Sequence, residues 1–163
     1  ATVPYANLPI RTLSSQYTAV GNVGAGEDTL QTYTMPGGTL AADGDRLLIR
    51  ACGYFAATAN NKTLKYYFGS NVITLVNAVA VSGEMWWHEV ELFRSASGNA
   101  ITHSTKFSRG VNAANVTIYA VRNENGVGVD SLASNLIIKL TGEATTTSDI
   151  DNFSLSVTYY AAP

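Results

Sequence analysis

The chain is poor in cysteine, histidine and charge, and each shortage removes a class of explanation. Cys52 is its single cysteine, which closes no internal disulfide and offers no zinc spacing, so the fold must be held by packing or by neighbouring subunits. Two histidines and one thiol leave few ways to build an activated nucleophile, and no Gly-x-Ser-x-Gly elbow is present. Charged residues are 13% of the chain, and the ten Lys and Arg against twelve Asp and Glu form no block of either sign. Without a basic stripe to neutralise phosphates, nucleic acid is not an expected partner. No apolar run approaches the ~18 residues that span a bilayer. The opening Ala1-Thr2-Val3-Pro4 lacks the charged and apolar regions of a signal peptide, so no membrane role is expected. A small first residue is what removal of an initiator Met leaves, and the chain is expected to be a complete gene product.

What is present is a 163-residue chain, 46% hydrophobic, with Thr, Asn, Ser, Ala and Gly filling the polar positions. That length suits one domain with a substantial core. No segment sustains helical spacing over three turns; short alternating runs separated by turn residues indicate an all-β protein. The clearest strand covers 46–58, with Leu47, Ile49, Ala51, Gly53 and Phe55 on one face and Leu48, Arg50, Cys52 and Tyr54 on the other. Bulk on both faces makes it central. Asn60-Asn61 suits a tight turn, so 46–69 is expected to be an antiparallel hairpin. Further strands are expected at 72–76, 85–94, 100–107, 115–121, 136–141 and 153–160, with shorter edge strands at 17–20 and 30–35. Eight or more such strands favour a jelly-roll β-sandwich of two antiparallel sheets over residues 17–163, with an immunoglobulin-like sandwich as the alternative. Residues 1–16 carry Pro4 and Pro9 and no period, and are expected to form an extended N-terminal arm. Its apolar side chains Val3, Tyr5, Leu8, Ile10 and Leu13 would lie against a subunit or partner.

Candidate chemistry is thin. On a strand, His88 shares a face with Trp86, Val90 and Leu92, while Glu89 and Glu91 share the opposite face with Trp87 and Phe93. His88 is therefore expected to be a hydrogen-bonded structural histidine, and the two glutamates a solvated strand face. Asp43-Gly44-Asp45 lacks the later ligands of a calcium loop and suits a turn, as do Asp149 and Asp151. No catalytic set, cofactor or metal is expected. Trp86 and Trp87 are adjacent, so one faces inward and one outward; an outward ring would be a sugar platform or, more in keeping with the scarcity of charge, an interface anchor. Tyr66-Tyr67 and Tyr159-Tyr160 repeat the arrangement, and Trp87, Tyr67 and Tyr160 join the arm residues as contact candidates. The sequons at Asn61, Asn115 and Asn152 are taken as chance in a Thr- and Asn-rich chain.

The run Met35-Pro36-Gly37-Gly38-Thr39-Leu40, then Asp43-Gly44-Asp45, an apolar strand ending Gly53-Tyr54-Phe55-Ala56, and Asn60-Asn61-Lys62 leading to Phe68-Gly69 resembles small virion proteins of tailed bacteriophages. Leu140-Thr141-Gly142-Glu143-Ala144-Thr145 and the strand over 149–157 match their usual ending, so the likeness covers roughly residues 18–160. It implies a jelly-roll subunit, commonly a homotrimer, on a capsid or at a fibre tip on the particle surface, made in the host cytoplasm. Because only a short segment precedes the first expected strand and no coiled-coil heptads occur, the implied role is capsid decoration: a cement protein gripping the major capsid protein. The alternative is the receptor- or glycan-binding head of a tail or head fibre, with host glycan as partner.

Overall fold

The computed structural model describes residues 9–95, 100–111, 117–128 and 130–163. Among the described residues eleven strands are formed: β1 (Ile10–Gln16), β2 (Val20–Gly21), β3 (Glu27–Met35), β4 (Arg46–Phe55), β5 (Asn61–Phe68), β6 (Asn71–Ala80), β7 (Glu84–Arg94), β8 (Ala100–Gly110), β9 (Thr117–Gly128), β10 (Leu136–Ala144) and β11 (Ile150–Tyr160). Every pairing is antiparallel. The larger sheet runs β1-β11-β4-β7-β8-β9, with β2 also on β11, and the smaller runs β3-β10-β5-β6. Among the described residues there is no helix. The protein is an all-β sandwich.

Period-two alternation decides which face is core. In β4, Leu47, Ile49, Ala51 and Phe55 are buried while Arg46, Leu48, Arg50, Cys52 and Tyr54 face out, and β4 is central, as its two bulky faces indicate. In β7 the same alternation buries the even-numbered Trp86, His88, Val90 and Leu92. Trp86 is 2% exposed and Trp87 42%. Gly53 lies opposite Trp86 in the ladder, and a Cβ there would sit 2.4 Å from the Trp86 ring and 1.9 Å from the Asp151 carbonyl oxygen. Only a glycine lets the ring lie across β4.

Two expectations are corrected. The span 46–69 is not a hairpin: β4 pairs with β11 and β7, whereas β5 pairs with β10 and β6 in the other sheet. The link between them is a corner tied by Asp149, which accepts from Thr58 Oγ1 (2.7 Å), Asn60 Nδ2 (2.8 Å) and the Thr146 amide (3.0 Å). Lys62, fully buried, donates from Nζ to the carbonyls of Val81 (2.7 Å), Thr58 and Asn60 (both 3.2 Å). A two-residue Gly69-Ser70 turn makes the true hairpin, β5–β6. The arm over 1–16 is not wholly an arm either, since Ile10–Gln16 is the edge strand β1 on β11. Its pairing slips between Thr12 and Ser14, leaving Leu13 as an extra residue, and that bulge erases the alternation that would have revealed a strand. Residues 17–20 contribute only Val20 to a ladder, and Asn115 and Val116 of the expected strand 115–121 lie outside the described residues.

The Asp43-Gly44-Asp45 segment is a turn, with Gly44 at φ 89°. Its buried Asp45 fastens the chain's last residues, accepting from the Tyr159 hydroxyl and the Ala162 amide, both at 2.9 Å. Burial alone would raise the Asp45 pKa, but these bonds and one from the Ala42 amide outweigh it and leave it below the ordinary carboxylate value.

The Trp86–Gly53 contact is expected to show in stability. Trp86→Ala should cost ~3–5 kcal/mol, and Gly53→Ala should also destabilise by displacing the ring, whereas Trp87→Ala should stay within about 0.5 kcal/mol. Urea unfolding of the three variants checks this; equal losses at the two tryptophans would refute the orientation.

Candidate interaction surface

The outer face of the larger sheet is built by the odd-parity residues of β7 against the even-parity residues of β4. Register places Trp87 opposite Cys52, Met85 opposite Tyr54, Glu89 opposite Arg50, and Phe93 opposite Arg46. The charges are tied in pairs: Arg50 Nε–Glu89 Oε2 at 2.8 Å and Arg46 Nη1–Glu91 Oε1 at 2.9 Å. Pairs this exposed add only ~0–1 kcal/mol each, but they bind each glutamate to its own arginine. The Arg46 guanidinium also lies 4.3 Å from the centre of the Tyr160 ring and 5.7 Å from that of Phe93. Tyr160 is thus half-covered. Beyond the ion pairs the face turns apolar, with Met85 48% and Trp87 42% exposed beside half-buried Tyr54 and Cys52.

The outer face of the smaller sheet is organised differently. Glu27 accepts from Lys65 Nζ (2.5 Å), from the Tyr67 hydroxyl and from Thr141 Oγ1 (2.7 Å). The Lys65 and Tyr67 bonds hold the Glu27 carboxyl down at about 2. Lys139 Nζ sits 4.5 Å from the Tyr67 ring centre. Tyr67 is therefore engaged at both its hydroxyl and its ring, and makes a poor free anchor.

Of the other candidates, Ile10 is 56% exposed, Leu13 packs against the core at the β1 bulge, and Val3, Tyr5 and Leu8 lie outside the described residues. The structure does not bring Ile10 or Tyr67 together with Trp87. Met85, next to Trp87 on the same face, was missed by the sequence reading, although its parity with Trp87 would have found it.

His88 is fully buried between the sheets, but the expectation of a hydrogen-bonded histidine is corrected: neither ring nitrogen has a partner among the described residues. Instead its ring packs edge-on against Tyr66, centroids 5.0 Å apart, and near Phe107 at 6.5 Å. His103 meets the same Tyr66 ring at 5.8 Å. Burial, assisted by His103, lowers the His88 pKa from 6.5 to about 3. Among the described residues no group of three or more His, Cys, Asp or Glu is placed to hold a metal, and no helix is long and apolar enough to cross a membrane. No protein-family model and no curated protein matches the chain.

The buried histidine carries a pH consequence. With its folded pKa depressed, the unfolded chain takes up the proton first, so stability is fully present above about pH 6.5 and falls as pH drops towards 3. Glu27 adds a lower window, its contribution being lost as pH falls from about 4.5 towards 2. His88→Leu is expected to retain more of its neutral-pH stability near pH 4.5 than the unaltered protein. Urea midpoints at both pH values measure it, and an unchanged acid dependence in the variant would contradict the assignment.

Proposed function

We propose that this protein is a binding subunit of a bacteriophage particle, a capsid decoration protein that docks as a homotrimer on the major capsid protein and stabilises the assembled shell. The observation that carries the reading is the Met85–Trp87 patch with Tyr54, an exposed aromatic and thioether surface beside charges already neutralised in pairs. Interface centres have this composition, with aromatic residues and Met enriched and charge depleted. The strand orders β1-β11-β4-β7 and β3-β10-β5-β6 support the jelly-roll part of the reading, since the chain alternates between two four-stranded layers, with the β8–β9 hairpin added to one edge.

The mechanism is binding without a reaction. A subunit that engages only the assembled shell stabilises it by mass action, and three linked copies raise the effective concentration of each contact. Sedimentation of the purified protein, followed by co-sedimentation with capsids of the phage that encodes it, tests both parts. A trimer with saturable loading is expected, and Trp87→Ser should weaken loading at least tenfold, about 1.4 kcal/mol, while leaving the fold intact. A monomer that does not load, or a Trp87→Ser variant that loads normally, would overturn the reading.

A further inference from the structure

On the side of the sandwich where β1 and β3 are the two sheet edges, a cleft of about 630 Å³ opens between the β1–β2 segment and β3. That volume is within the ~300–1,000 Å³ typical of small-molecule sites. We propose that this cleft binds a neutral saccharide. The inference stands apart from the capsid reading, because the cleft lies between the sheets at the β1 edge, three strands from Trp87.

The cleft is made by backbone irregularity. The β3–β10 ladder slips between Leu140 and Thr141, leaving Leu30 as an extra residue opposite them. Leu30 and Gln31 are consequently both buried, at 3% and 4% exposure, where regular alternation would have turned one of them outward. Bulges of this kind re-aim side chains and occur next to functional sites. The Leu13 bulge in β1 is a second irregularity, on the strand across the cleft.

Two glutamines then span the gap in opposite directions. Gln31 Nε2 donates to the Thr18 carbonyl at 2.7 Å, and Gln16 Nε2 donates to the Thr32 carbonyl at 2.7 Å. The first bond fixes the Gln31 amide, since only its nitrogen can face a carbonyl. Its Oε1 is left buried with no partner among the described residues. A buried acceptor without a partner is unfavourable, and a small shift of the Gln31 amide towards the cleft would let a ligand hydroxyl satisfy it.

The rest of the lining selects the ligand class. Ser15, Thr18, Thr29 and Thr32 carry hydroxyls, Val20 and the largely buried Leu30 are apolar, and no Asp, Glu, Lys or Arg takes part. A charged ligand would find no counter-charge, and a wholly apolar one would strip water from hydroxyls without replacing their bonds. A sugar has both a ring of hydroxyls and an apolar face. Tyr17, 75% exposed, offers a ring on which that face can stack. The glycan partner of the second expectation thereby acquires a location distinct from the tryptophans.

The test is titration of the isotope-labelled full chain with glucose, galactose, N-acetylglucosamine, lactose, maltose and chitobiose, followed by amide chemical shifts. At least one sugar is expected to bind in the millimolar range and to move the amides of 15–18 and 29–32 while leaving 85–89 still. Tyr17→Ala, at an exposed site that leaves the fold intact, and Gln31→Leu should each weaken it about tenfold. Absence of any shift, shifts confined to other residues, or undiminished affinity in both variants would overturn the proposal. None of these results bears on capsid loading.

Discussion

The Trp86 ring lying across Gly53 is the contact on which the rest of the larger sheet depends. It brings β7, β4 and β11 to one point, since the missing Cβ of Gly53 also leaves room for the Asp151 carbonyl. Side chains alternate with a period of two, so slipping β7 by a single residue would turn its whole buried set outward. With Trp86 seated, that slip is blocked. Trp87 and Met85 are then obliged to face solvent, and Glu89 and Glu91 to meet Arg50 and Arg46. The surface read as an interface is thus a by-product of how the core is registered.

The same sandwich is closed by parts distant in sequence. β11 sits between β1 and β4, so half of the larger sheet cannot form until the end of the chain arrives. Asp45 then binds Tyr159 and Ala162, and Asp149 ties the corner between β4 and β5. Each of these buried carboxylates is satisfied by several donors, which is the condition for burying such a group at tolerable cost. Lys62 meets the same condition with carbonyls. Pairing between residues this far apart favours slow folding over fast.

What the sequence disclosed follows this division. Alternation is local, so β4, β7 and β11 were legible, as were the opposite fates of Trp86 and Trp87 and the turn role of Asp43-Gly44-Asp45. Pairing is not local: nothing between Arg46 and Gly69 says that β4 has both edges occupied by other strands, and a tight turn at Asn60-Asn61 was the natural reading of a corner. Bulges hide strands by breaking the period, which is why β1 passed for an arm and why burial of Gln31 beside Leu30 could not be foreseen. The buried Lys62 was visible only as parity with Leu64, Tyr66 and Phe68, against the expectation that lysine faces water. The cleft between β1 and β3 is formed by two edges that meet only in the folded sandwich.

Trp86 belongs to the core, and Trp87 is the surface tryptophan that the proposed docking would cover. Acrylamide quenching of tryptophan fluorescence tests this most directly, using the protein alone and bound to capsids, with a Trp87→Phe variant to isolate Trp86. The account predicts one quenchable ring in the free protein, none in the Trp87→Phe variant, and protection of that one ring on loading. A quenchable Trp86, or a Trp87 that stays equally accessible on the loaded capsid, would contradict it.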